Sequence, residues 1–172
     1  MKETHASNAE KRETTGGFTS VLLLEHEAKS ALEVLDKTIA QAIGESAAAI
    51  ALDRSYPITI SIQLDGEEVF RRALPGASEE HASRIARKLN VVNKTHHATM
   101  YERVKAEEAG IDWYQAHGVD EKDYAIHGGG FPLLTSAGDF RGVLLISGLP
   151  QVEDHLFAFE VLSTISEARR QG

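Results

Sequence analysis

Pro57-Ile58-Thr59-Ile60-Ser61-Ile62, then Asp65-Gly66, then Val69-Phe70-Arg71-Arg72-Ala73, is the stretch whose reading decides the fold. From Ile58 to Ile62 apolar and polar residues alternate strictly, and the branched isoleucines suit a pleated strand. Asp-Gly marks a hairpin turn, because glycine accepts the positive φ that tight two-residue loops require. A strand, a tight turn and a second strand must pair antiparallel. The same logic recurs downstream, where Phe131 to Thr135 and Phe140 to Ser147 flank the turn Ala137-Gly138-Asp139.

The flanking segments read mostly as helices. Val21-Leu22-Leu23-Leu24, followed by Glu25, His26, Glu27 and Lys29, is a first helix, and Ala31 to Leu35 is a further strand. Thr38-Ile39-Ala40-Gln41 has capping-box spacing, and Ile39, Ala42, Ile43 and Ile50 share one face of a helix reaching about Arg54. Pro75-Gly76 breaks the chain, and Ser78 with Glu79-Glu80 starts a long helix ending near Gly110. Ala82, Ile85, Leu89, Val92, His96 and Met100 form its inner face. Ile111 to Ile126 is irregular, aromatic and acidic. Pro150 opens a last helix, with Leu156, Phe159, Leu162 and Ile165 directed inward. The expected fold class is α/β in the α+β sense, a single antiparallel sheet of about five strands with helices on its faces. Strands in adjacent pairs without crossover helices exclude a Rossmann sheet.

At 172 residues, 42% of them hydrophobic, the chain suffices for one core. Residues 1–17 read as a flexible N-terminal tail and residues 18–172 as one domain. Absence of cysteine excludes disulfides and thiolate metal sites and fits a reducing compartment. A net charge of -8 with no Lys/Arg run argues against nucleic acid and anionic membrane as partners. The N-terminus lacks the apolar core of a signal peptide, and no apolar run approaches the ~20 residues that span a bilayer. The expected location is cytoplasmic.

Chemistry concentrates in the last quarter. In His127-Gly128-Gly129-Gly130 the glycines let the main chain approach a ligand and offer backbone N–H groups to an anion. An esterase oxyanion loop would need a G-x-S-x-G elbow, and Ile146-Ser147-Gly148 lacks the first glycine. The second hairpin returns Gly148, Asp154 and His155 to the end where His127 to Gly130 lie. His127, Gly128, Gly129, Gly130, Gly148, Asp154 and His155 therefore form one candidate ligand-binding set. The plainer alternative is a tight glycine turn, with Asp154 complementing a helix dipole. His96 and His97 point about 100° apart on a helix and cannot chelate one metal together. His96 alone, on the inner face, is a candidate axial haem ligand; the plainer alternative is a satisfied buried histidine. Arg87-Lys88 followed by Lys94 puts three cations on the long helix, either a solvated face or an anchor for propionate or phosphate groups, with Lys88 the candidate contact. No catalytic residue can be named, and an enzyme using His127, Asp154 and His155 around a metal is the least supported reading.

These residues also carry a family resemblance. Asp123-Tyr124-Ala125, His127-Gly128-Gly129, Phe131-Pro132 and Ser147-Gly148-Leu149-Pro150 with Asp154-His155 resemble the haem-degrading family. Within it they resemble an uncharacterised branch that includes a yeast member, and Ala73-Leu74-Pro75-Gly76 and Arg87-Lys88 fit the same branch. The resemblance covers roughly residues 30 to 170. It implies a profilin-like three-layer α/β/α fold with a five-stranded antiparallel sheet. It also implies homo-oligomers built from dimers, with haem or a related tetrapyrrole as cofactor in some relatives. The expected function is a homo-oligomeric binding protein for a small anionic or tetrapyrrole ligand, without established catalysis. The alternative is an oligomeric protein-interaction adaptor with no small-molecule chemistry.

Overall fold

Strand β1, Thr59–Leu64, lies at the centre of one antiparallel sheet. The computed structural model describes residues 15–171, so most of the tail expected over residues 1–17 lies outside the described residues. On one side β1 pairs with β2, Glu67–Ala73, through a turn in which Asp65 and Gly66 both have positive φ, 51° and 82°. Both signs match the mirror-image turn that a right-twisted hairpin favours. On its other side β1 pairs with β4, Phe140–Ser147, which pairs with β3, Gly130–Leu134. The strand order is β2-β1-β4-β3.

Six helices accompany the sheet among the described residues: α1 Ser20–Lys29, α2 Lys37–Asp53, α3 Glu79–Thr95, α4 Thr99–Ala109, α5 Trp113–His117 and α6 Gln151–Gln171. Alternation along the strands divides the core. Ile60, Ile62, Leu144 and Ile146 face α2 and α6, meeting Ile43, Ala47, Val161 and Leu162. Val143 and Leu145 face the opposite way, under Ile85 and Val92 of α3. Each of the isoleucine, leucine and valine side chains, once buried, contributes about 1.5–3 kcal/mol. The sheet is thereby held between helical layers.

Five expectations need correction. The sheet has four strands, not five. The segment Ala31 to Leu35 makes only an isolated parallel bridge, Leu32 to Thr135, beside β3. Leu32 and Leu35 are both buried while Val34 is 53% exposed, and Asp36 already caps the next helix by accepting from Ile39 N at 2.8 Å. That leaves no length for a ladder, and Thr38 is not the cap. The long helix expected from Ser78 to Gly110 is two, broken where His96 takes a left-handed conformation, φ 61°. Ala98, Thr99 and Met100 then re-enter the core on α4. On α6 Leu162 is buried and Phe159 and Ile165 pack against the core as expected, but Leu156 is 40% exposed and Phe157, Ala158 and Val161 are buried in addition.

Candidate functional site

The two glycine turns do become neighbours. Ile146 N donates to the Gly129 carbonyl at 2.9 Å, and Gly130 N donates to Thr99 Oγ1 at 3.1 Å. Gly148 N and Leu149 N donate to the Asp154 carboxylate at 3.3 and 3.0 Å. Lys88 reaches the same spot from α3, donating to the Ile146 carbonyl at 2.9 Å and to Asp154 Oδ2 at 3.3 Å. Lys88, Gly128, Gly129, Gly130, Gly148 and Asp154 thus form a single junction, but protein fills it. A Cβ on Gly128 would collide with the Gln151 carbonyl, and one on Gly148 with the Pro57 carbonyl. At Gly129, φ 123°, it would collide with the Ile146 carbonyl and lie 2.8 Å from Lys88 Nζ. The space at Gly128, Gly129 and Gly148 is taken by neighbouring backbone, and that at Gly130 by the Thr99 and Val92 side chains.

Lys88, expected to meet the acidic groups of a ligand, is 1% exposed and closes on Asp154. Burial pushes the Lys88 ammonium down, and the Asp154 charge pulls it back. Burial likewise lifts the Asp154 carboxyl to about 6, against the pull of Lys88 and the backbone donors. At neutral pH the carboxylate stays charged. The pair ties α3, the end of β4 and the first turn of α6 together.

His155, next to Asp154 on α6, is fully buried. Its Nε2 meets His26 Nδ1 of α1 at 3.0 Å, while its own Nδ1 is buried without a hydrogen bond. The rings of Phe18, Phe131 and Phe159 surround the two imidazoles. Desolvation, then repulsion from His26, lowers the His155 pKa to about 3. Two neutral imidazoles share one proton bridge in an aromatic interior, where they hold α1 onto α6. His96 is corrected too: it is an exposed helix cap stacked on Phe140 at 4.0 Å, not an inner-face side chain in an apolar pocket.

His127 stands apart from the filled junction. It lines a cleft of about 300 Å³ with Arg103, Trp113, Tyr114 and Ile126. Burial first, then the charges of Arg103, Lys88, Arg84 and Arg87, bring its pKa down to about 4. Its Nδ1 is buried and makes no hydrogen bond. A neutral imidazole with an uncommitted ring nitrogen is the state a metal ligand requires.

A larger cleft, about 530 Å³, adjoins this one and shares Ala106, Ile111 and Trp113 with it. Its walls include Lys94, one of the three helix cations read from the sequence, and His97, Lys105 and His117, which lie outside the candidate ligand-binding set. Trp113 Nε1 donates to the buried Glu102 at 2.9 Å, and the His117 ring stacks on Trp113 at 4.1 Å. His97 meets Glu27 at 3.0 Å. That hydrogen bond raises the His97 pKa, whereas burial raises that of Glu27. Among the described residues no group of three or more His, Asp or Glu side chains could hold a metal ion. One signal in the sequence pointed here: the lone tryptophan and His117 stand four apart, the spacing of neighbours on one helical face.

Comparison with known proteins matches residues 35–163 to the family of haem-degrading HbpS-like proteins. A UPF0303 protein of Acidobacterium capsulatum is 30% identical over 145 residues, covering 84% of this chain and 88% of that protein. Among solved structures, the Ybr137w protein superposes with a TM-score of 0.83 at 25% identity, covering 93% of this chain and 94% of that one. A PduOC:Heme complex superposes with a TM-score of 0.62 at 22% identity, covering 76% of this chain and 94% of that one.

Proposed function

Because the chain belongs to the HbpS-like haem-degrading family, we propose that it is a homo-oligomeric, cytoplasmic binding protein for haem or a related tetrapyrrole. The observation that carries this reading is the pair of adjoining clefts around Trp113. Together they offer apolar and aromatic wall, three histidines and the cations Arg103, Lys94 and Lys105. A flat ring needs the first, an iron the second and acidic side groups the third. The neutrality of the His127 imidazole fits the same group. A haem held here would bring an iron centre whose access and potential the surrounding side chains set. The PduOC:Heme complex supports the ligand class, since that related fold was crystallised with haem.

Self-association is supported by apolar side chains that no core covers: Val21 is 67% exposed and Leu24 41% exposed on α1, and Leu156 40% exposed on α6. The same surface favours the second reading, an interaction adaptor without a small ligand. Among the described residues no helix is long and apolar enough to cross a membrane. Titration of the purified protein with haem, followed at the Soret band, separates the readings. A saturable shift at a fixed haem-to-chain ratio supports the binding protein; a weak shift that never saturates supports the adaptor.

A further inference from the structure

Two histidines of the larger cleft have their ring nitrogens assigned by their partners. His117 Nδ1 lies 2.8 Å from the Trp113 carbonyl oxygen, which can only accept, so Nδ1 carries the proton. His97 Nδ1 lies 3.0 and 3.2 Å from the two Glu27 carboxylate oxygens, again acceptors. Nε2 is the nitrogen left over in both rings, although on His97 the Glu27 carboxylate raises the pKa, so a metal there must displace a more firmly held proton. This is the arrangement found behind metal-bound histidines: an N–H held by a carbonyl or carboxylate, which fixes the tautomer and leaves the opposite nitrogen for the metal. Stacking on Trp113, with ring planes 23° apart, further fixes the orientation of His117. Both residues line the same 530 Å³ cleft, beside the exposed Lys94 and Lys105. The acid in that cleft, Glu102, is buried and engaged by the Trp113 indole.

Building on the haem-class reading above, we propose that this cleft is the ligand site. In it Nε2 of His117 faces the metal of a flat metal–tetrapyrrole, His97 provides a second nitrogen, and Lys94 and Lys105 hold the acidic substituents. Of the candidate set read from the sequence, His127 lines the adjoining cleft, whereas Lys88, Asp154 and the glycines are spent on one another and His155 on His26.

Haem and metal-free protoporphyrin IX, titrated into the full chain, test this. His117→Ala should shift the Soret maximum and weaken haem binding by about tenfold or more, while protoporphyrin IX affinity stays within about twofold, because only one of the probes has a metal to lose. A Lys94→Ala, Lys105→Ala double variant should weaken both probes. In the ligand-free protein, nitrogen NMR should find His117 protonated at Nδ1. An unchanged haem spectrum and affinity in both His117→Ala and His97→Ala overturns the assignment, as does an Nε2-protonated His117. Loss on His127→Ala in place of these would move the metal-facing nitrogen to the smaller cleft. Failure of the wild-type chain to bind haem saturably is a different result: it rejects the ligand class itself, and this site with it.

Discussion

Removing one half of the Lys88–Asp154 pair should cost far more than removing both. Both side chains are nearly inaccessible, 1% and 3% exposed, so neither charge can recover its hydration when its partner goes. Breaking a buried ion pair from one side typically costs about 3–5 kcal/mol. Asp154→Asn should fall in that range, because Lys88 is left with only the Ile146 carbonyl and a neutral amide. Lys88→Met should cost less. Asp154 keeps the Gly148 and Leu149 amides, and with a pKa already at about 6 it can take up a proton and become neutral. In the double variant no unpaired charge remains, so its loss should fall short of the sum of the single losses by about 2 kcal/mol or more. Urea unfolding at pH 7 measures all four proteins, and in a thermal melt Asp154→Asn should unfold roughly 6–20 °C lower for a domain of this size. Single variants within about 1 kcal/mol of wild type, or strict additivity, would refute the idea that this pair clamps α3, β4 and α6.

Acid should act through His155. Its folded pKa, about 3, lies below the ordinary 6.5, so the neutral ring stabilises the fold fully above pH 6.5 and progressively less as the pH falls below it. At pH 5 the loss amounts to about 2 kcal/mol. Asp154, raised to about 6, opposes this by taking up a proton in the folded state. The stability difference between wild type and His155→Leu isolates the histidine and should shift by about 2 kcal/mol in the variant's favour from pH 7 to pH 5; a pH-independent difference rejects it. Gly129→Ala should destabilise well beyond Gly66→Ala, since both glycines have positive φ but an added Cβ meets nothing within 4 Å at Gly66. The exposed turn pays only the strain, about 1 kcal/mol, so equal melting temperatures would show that the junction is loosely packed. Light scattering should give a multiple of the 18.8 kDa chain mass, reduced by Val21→Ser with Leu24→Ser; a wild-type monomer ends the oligomer proposal.

Both hairpins were legible because their signals are local: strict alternation from Ile58 to Ile62, and turn residues at Asp65-Gly66 and Ala137-Gly138-Asp139. The meeting of Gly129, Gly148 and Asp154 followed from hairpin geometry alone. Whether that meeting encloses a space or fills it depends on the Ile146, Gln151 and Pro57 carbonyls, whose positions no motif encodes. The break at His96 was hidden because nothing in Thr95-His96-His97-Ala98 forbids a helix. It is imposed by packing that draws Thr99 under Gly130. His97 and His117 do not read as site residues in the sequence for a related reason. Their value lies in the Glu27 carboxylate and the Trp113 carbonyl, and Glu27 stands 70 residues from His97 in the chain.

Trp113 is the only tryptophan of the chain and forms wall in both clefts, so its fluorescence reports directly on the central claim that a tetrapyrrole binds there. Haem added to the full-length protein should quench its emission along a saturating curve, with an end point at a fixed ratio of haem to chain. Quenching that rises linearly without an end point, or emission that haem leaves unchanged, would contradict the account.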